Sequence, residues 1–182
     1  KDIFHLNSNI KRLDNTILYV GSLKEEKDVK TIFGLARILK DYNFQFIGDG
    51  PLMNSVKLNN VSFLGKIDQS KLVEYYNASQ FSLFPGSNEN FPLVGLEALS
   101  SGSIVIAHRN GFSEYIDDGY NGFLLNESDP ESIKTKIKHI IKNKNINDIR
   151  KNALATSHEF DWKKISEEYL EYYYKFKENI NK

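Results

Sequence analysis

Apolar positions along the chain fall into short runs, each closed by a glycine or a turn and followed by polar residues or helical spacing. Ile17-Leu18-Tyr19-Val20 ends at Gly21, and residues 29–39 then place Val29, Ile32, Phe33, Leu35, Ala36 and Leu39 on one helical face. Phe44-Gln45-Phe46-Ile47 ends at Gly48 before the turn Asp49-Gly50-Pro51, and Val61-Ser62-Phe63-Leu64 ends at Gly65 before a helix predicted over 68–78. Residues 81–84 lead through Pro85-Gly86-Ser87 into a helix predicted over 91–100. Residues 104–107 lead into a short helix over 112–116, and 122–125 make a sixth strand. Helical patterns follow at 131–142, 146–159 and 161–176. The last carries Trp162, Ile165, Tyr169, Leu170, Tyr172, Tyr173 and Phe176, a wide apolar face expected to pack against something large.

Strands separated by helices at this spacing indicate βαβ units. The predicted fold class is therefore α/β: a Rossmann-like open parallel sheet of about six strands, helices on both faces, and additional C-terminal helices. A length of 182 residues suits one domain, and 40% hydrophobic with 26% charged residues places the chain among globular proteins. Lys plus Arg and Asp plus Glu both total 24, so no basic surface for nucleic acid is expected. The absence of cysteine excludes disulfides, thiolate zinc sites and a Cys nucleophile. The longest apolar runs are far too short to span a bilayer, and no charged-then-apolar leader is apparent, so a soluble protein is expected.

Ligands of open parallel sheets bind beyond the carboxyl ends of the strands, which directs attention to the loops after Val20, Ile47, Leu64, Phe84 and Ala107. The first, Gly21-Ser22-Leu23-Lys24-Glu25-Glu26-Lys27-Asp28, matches neither GxxxxGK[ST] nor GxGxxG. It places Lys27 at a helix mouth, where a cation opposes the helix dipole unless an anion joins it; a solvated lysine is the alternative. In the loop after Phe84, Pro92 suits a first helical turn, which leaves the N–H groups of Asn90, Phe91, Leu93 and Val94 near a helix end that attracts phosphate. Glu89 precedes that helix and Glu97 lies about two turns inside it. The spacing alone is weak, because the chain has 13 glutamates and Glu159/Glu167 repeats it. Asp117-Asp118 reads as turn chemistry, His108 as structural, and the four histidines show no metal-ligand spacing. For Gly111 and Glu114, helix capping and ligand contact both stay open.

Glu89 to Glu97 with the following Ala98-Leu99-Ser100-Ser101-Gly102 resembles the E-x7-E signature of the family 4 retaining glycosyltransferases, which have the two-domain GT-B fold. Gly21 through Lys27 resembles that family's first phosphate-clamp loop, Gly48-Asp49-Gly50-Pro51 its GDGP turn, and Phe63-Leu64-Gly65 its F-x-G strand end. Gly111 to Ile116, Asp118-Gly119 with Gly122, and Asp161-Trp162 also resemble family segments, in the same order, over about residues 16–178.

The resemblance implies that residues 1–182 form a single nucleotide-sugar-binding domain, the C-terminal half of a GT-B enzyme, with a nucleoside-diphosphate sugar as donor. It implies no metal or other cofactor. Glu89 corresponds to the glutamate at the donor sugar, the catalytic candidate, and Glu97 to the one at the ribose. Lys27, with Gly21 and Ser22 in its loop, corresponds to the pyrophosphate clamp. Asn90, Phe91, Pro92, Leu93 and Val94 correspond to the helix-end contacts, Ile67 and Asp68 to backbone near the base, and Lys71 to a less constant lysine beside the donor. Two departures stand out: Ser22 replaces the usual arginine, and Asn90 the usual glycine.

The partners implied are the donor and an N-terminal acceptor-binding domain of the same full-length protein, against which the last helix would pack. The chain alone is then expected to be an inactive fragment. The implied setting is the cytoplasm, peripheral at the inner face of the membrane through the missing domain, and the implied role bacterial surface polysaccharide synthesis. Two other readings compete: a non-catalytic nucleotide-sugar-binding or assembly module, which Ser22 favours, and a nucleotide-sugar epimerase of the same architecture, which would bring further acids and histidines to the crevice.

Overall fold

The computed structural model describes residues 3–180. Strands β1 (Leu13–Val20), β2 (Asn43–Ile47), β3 (Val61–Gly65), β4 (Ser79–Phe84), β5 (Ile104–His108) and β6 (Phe123–Leu125) form one sheet. Their order is β3-β2-β1-β4-β5-β6 and every pairing is parallel. Parallel neighbours need crossover connections, supplied by α1 (Val29–Ile38), α2 (Gln69–Ala78) and α3 (Leu93–Ser100), with α4 (Pro130–Asn143) and α5 (Ile146–Glu159) after the last strand. Helix α1 packs on α4, and α3 packs on both α2 and α5. The α/β reading of the sequence is correct.

The core explains why the strands read as continuous apolar runs. Every residue of β4 is buried, and the rings of Phe33, Phe46 and Phe63 stack within 5.2–5.9 Å of one another. Each such ring removed from water contributes about 1.5–3 kcal/mol.

Apart from shifts at other element ends, four boundaries differ from the sequence reading for an identifiable physical reason. Strand β1 starts at Leu13, because pairing of Leu13 with Ser79 and of Thr16 with Asn43 uses backbone alone, while the side chains of residues 13–15 stay exposed. Strand β4 starts at Ser79: the hydroxyl of Ser79 donates to the Tyr75 carbonyl at 2.7 Å, and Ser82 and Ser103 share a hydrogen bond of 2.8 Å, so serines are tolerated mid-sheet. Helix α3 starts at Leu93 rather than 91, because Pro92 is its N-cap with extended φ −79° and ψ 110°, and a residue before proline is itself pushed out of helical geometry. The helix read over 112–116 is a single 3-10 turn, Gly111–Glu114, capped by the Asn110 side chain, which accepts from the Phe112 N–H.

The last helix, α6 (Trp162–Ile180), forms as read, but its aromatic face is not covered by the described residues. Trp162 and Tyr169 are each 73% exposed and Phe176 66%. The expectation that this face packs is not met within the described residues.

Candidate functional site

The strand order reverses between β1 and β4, which opens a crevice beyond their carboxyl ends. The loop after β1 is fastened to the loop after β2: the Gly21 N–H donates to the Ile47 carbonyl at 3.0 Å, and the Leu23 N–H to the Asp49 carbonyl at 2.9 Å. The chains approach so closely that a Cβ on Gly48 would lie 1.9 Å from the Gly21 carbonyl oxygen, and Gly48 has φ +136°, so only glycine fits there. From below, the Tyr19 hydroxyl donates to the Ser22 carbonyl at 2.9 Å; burial, then the nearby Glu89, push its pKa up, so it stays neutral.

Lys27 ends a 3-10 turn, Glu25–Lys27, and is followed by Asp28 in left-handed conformation with φ 52°. The Asp28 carboxylate accepts from the Thr31 hydroxyl at 2.9 Å, which fixes the kink between that turn and α1. The kink sends Lys27 across the crevice to the loop after β4, where its Nζ lies 2.6 Å from Glu89 Oε1. Both side chains are about three-quarters buried, with 27% and 23% of their surface exposed. The Glu89 loop is held from behind by the segment after β5. Gly111 N–H donates to the Glu89 carbonyl at 2.9 Å, the Asn110 side-chain amide to Gly86 at 2.8 Å, and the Tyr115 hydroxyl to Pro92 at 2.5 Å. A Cβ on Gly111 would sit 1.9 Å from the Asn90 carbonyl oxygen, so this brace also requires glycine.

These elements enclose a cleft of about 290 Å³. Of the residues singled out in the sequence, Gly21, Ser22, Lys27, Glu89, Pro92, Leu93 and Val94 line it together. Leu93 and Val94 are the first two helical residues of α3, so their N–H groups have no intrahelical acceptor and the helix dipole adds partial positive charge there. A lysine and a helix N-terminus facing one cleft can hold an anion. A shallower hollow of about 460 Å³ shares Gly21 and Ser22 and adds Lys24, Asp49 and Lys66.

The other candidates lie off this cleft. Asn90 is exposed, and the Phe91 ring packs on Tyr115 and Phe160 at 5.4 and 5.9 Å. Ile67 rests against the core, Asp68 is the N-cap of α2, and Lys71 is exposed on its first turn. Glu97 faces α2, where its Oε2 accepts from the Tyr76 hydroxyl at 3.1 Å. Burial raises the Glu97 pKa, and the Tyr76 bond opposes that shift.

Reading the sequence missed Tyr19, Asn110 and Tyr115. The signal for Tyr19 was its place one residue from the end of the first strand; Asn110 immediately precedes the segment singled out at 111–116, and Tyr115 lies within it. Glu114 is exposed and the cap belongs to Asn110, so this turn acts as a brace. Asp118 accepts from the Leu124 N–H at 3.0 Å and pairs with Lys136 at 3.2 Å in the turn at Gly119, as turn chemistry requires. His108 lies at the end of β5 with a buried Nδ1 that has no hydrogen-bond partner. Among the described residues no three His, Cys, Asp or Glu side chains converge, and no helix is long and apolar enough to cross a membrane.

Known proteins carry the same architecture. An uncharacterised glycosyltransferase of Methanocaldococcus jannaschii, MJ1178, is 29% identical over 156 residues, covering 81% of this chain and 44% of its own. The sucrose-phosphate synthase of Thermosynechococcus elongatus superposes with a TM-score of 0.84 at 21% identity, over 96% of this chain and 50% of that one. The pneumococcal O-GlcNAc transferase GtfA, solved with UDP and GlcNAc, superposes with a TM-score of 0.77 at 20% identity, over 92% of this chain and 37% of that one. These two likenesses establish the fold, and the chain spans half or less of the length of each of these relatives. The sequence pattern of the glycosyl transferases group 1 matches residues 1–156, from the start of the chain into α5. With that much of its length accounted for, the chain belongs to the glycosyl transferases group 1 family.

Proposed function

We propose that this chain is the donor-binding domain of a retaining glycosyltransferase, which moves a sugar from a nucleoside-diphosphate sugar to a glycan or lipid-linked acceptor held by a second, N-terminal domain. The observation that carries this reading is the convergence of Lys27, the first two amides of α3 and Glu89 on one cleft at the switch point of the sheet. Sugar transfer breaks the bond between the anomeric carbon and a phosphate oxygen and leaves its electron pair on the diphosphate. Lys27 and the α3 N-terminus face the place where that charge develops, which stabilises it without a metal ion. Glu89, next to Lys27, is placed to accept hydrogen bonds from the donor sugar and orient it; no covalent role is assigned to it. Glu97 keeps Oε1 clear of its Tyr76 bond, so that oxygen is the one to accept from a ribose hydroxyl. The UDP in the GtfA structure supports a uridine nucleotide as the first candidate. The acceptor must come within about 3–3.5 Å of the anomeric carbon; the second domain supplies that site, so the isolated chain gives background hydrolysis at most. A role in bacterial surface polysaccharide synthesis, peripheral to the cytoplasmic face of the membrane, fits the same reading.

Titration of the chain with uridine, guanosine and adenosine diphosphates, followed by amide NMR, tests it. We expect binding in roughly the high micromolar to millimolar range, with shifts at Lys27, Leu93 and Val94. Lys27→Ala should weaken diphosphate binding by about 1–3 kcal/mol and leave binding of the bare nucleoside nearly unchanged. No response of these amides to any diphosphate at millimolar concentration would overturn the reading.

A further inference from the structure

We propose that Glu89 competes with the diphosphate for Lys27, so that it discriminates against the spent nucleoside diphosphate and favours its release. The inference rests on the donor-site reading above and adds a specificity role to the residue. Among the described residues lining the cleft, Lys27 is the one cation and Glu89 the one carboxylate, and at 2.6 Å they are engaged with each other. An incoming phosphate therefore finds its cation already paired.

Glu89 has little freedom to leave. Its side chain is three-quarters buried, its carbonyl is held by the Gly111 N–H at 2.9 Å, and the preceding Gly86 carbonyl is held by Asn110. Besides Lys27, the buried tyrosines that interact with it, Tyr19 and Tyr115, offer it no compensating charge, since burial holds both in their neutral forms. A phosphate that takes Lys27 therefore leaves an ionised carboxylate beside it, and like charges at short range in a half-buried site repel strongly.

The repulsion differs between the two ends of the reaction. In the intact donor the terminal phosphate is esterified to the sugar, and the sugar hydroxyls can donate to Glu89. When the bond from the anomeric carbon to the phosphate oxygen breaks, the electron pair stays on that oxygen. The departing nucleotide then carries an additional ionisable oxygen and no sugar to satisfy Glu89. The same carboxylate that tolerates the donor disfavours the product, and reclaiming Lys27 completes the exchange.

The opposite sign from a simple contact makes this testable by calorimetry on the whole chain, with UDP and uridine as probes and four proteins: native, Glu89→Gln, Lys27→Met and the double variant. Glu89→Gln should bind UDP about three- to tenfold more tightly than the native chain. The gain should be less than about twofold for uridine, and it should be smaller in the Lys27→Met background, where Glu89 has no cation to withhold and only its repulsion of the phosphate is relieved. Glu89→Asp, which keeps the charge, should not reproduce the gain, and unchanged thermal unfolding of the Gln variant separates the effect from refolding of the loop. UDP binding by the native chain with no tightening in Glu89→Gln overturns the competition alone. No UDP binding by either protein overturns it together with the assignment of the cleft as a uridine diphosphate site.

Discussion

Two glutamates eight positions apart occupy opposite environments. Glu89 lies in a loop, ion-paired to Lys27 across the strand-order switch; Glu97 lies inside α3, turned toward α2 and hydrogen-bonded to Tyr76. The first is held by backbone braces from a distant segment and answers to charge in the cleft. The second is held by its helix and answers to burial, which raises its pKa. Pro92 lies between them as the N-cap, so Glu89 is outside the helix and helical periodicity does not relate the two side chains. Residue type and spacing set up such a pair, and tertiary neighbours give its members different chemistry.

The contrast breaks most strongly at Gly111. Gly111→Ala forces a Cβ into the Asn90 carbonyl, and we expect a stability loss of about 1–3 kcal/mol in urea unfolding. NMR should show the Glu89 loop displaced while the side chains of Tyr76 and Glu97 keep their contact. Tyr76→Phe acts on the other member. It removes the hydrogen bond described for the Glu97 carboxylate and should cost about 1 kcal/mol, with diphosphate binding unaffected. Because that bond holds the Glu97 pKa down against burial, its loss should move the Glu97 titration, read by carboxyl NMR, further upward.

Glu97→Gln sharpens the comparison with the smallest effect. A carboxyl whose folded-state pKa lies above its ordinary value of 4.5 contributes stability below that pH and loses it as the pH rises through the raised value. The native chain should therefore lose some stability across that interval. The Gln variant, which cannot ionise, should show a flatter profile of unfolding midpoint against pH, with the fold intact and nucleotide affinity reduced. A profile of unchanged slope would remove the buried carboxylate from the explanation.

The sheet was legible because nearly all of its strands are covered on both faces and so appear as apolar runs ended by glycine. The beginnings of β1 and β4 were not, because Leu13 to Asn15 join by backbone alone and Ser79 and Ser82 carry polar side chains satisfied locally. The meeting of Lys27 and Glu89 followed from topology, since the loops after β1 and β4 adjoin wherever those strands pair. Their direct ion pair did not follow, because it depends on the left-handed Asp28. The orientation of Glu97 was hidden for a related reason: its partner Tyr76 is on another helix, and one sequence carries no record of that pairing. The uncovered face of α6 was legible as apolar, but its exposure was not, because an apolar stripe on a helix reads the same whether or not anything packs on it.

The amide of Gly111 donates to the carbonyl of the residue that holds Lys27, so it is a built-in gauge of the loop. Its exchange with deuterated solvent requires that bond to open, and the rate of exchange measures how often the Glu89 segment lifts from its brace. A slow Gly111 amide in the empty chain means that the cleft walls are set before any nucleotide arrives, with little ordering left for binding to accomplish. A fast one means that part of each nucleotide's affinity is consumed in fastening the loop, and the amide should then slow on addition of a diphosphate. One exchange rate, read with and without ligand, thus separates a preformed site from one assembled by its occupant.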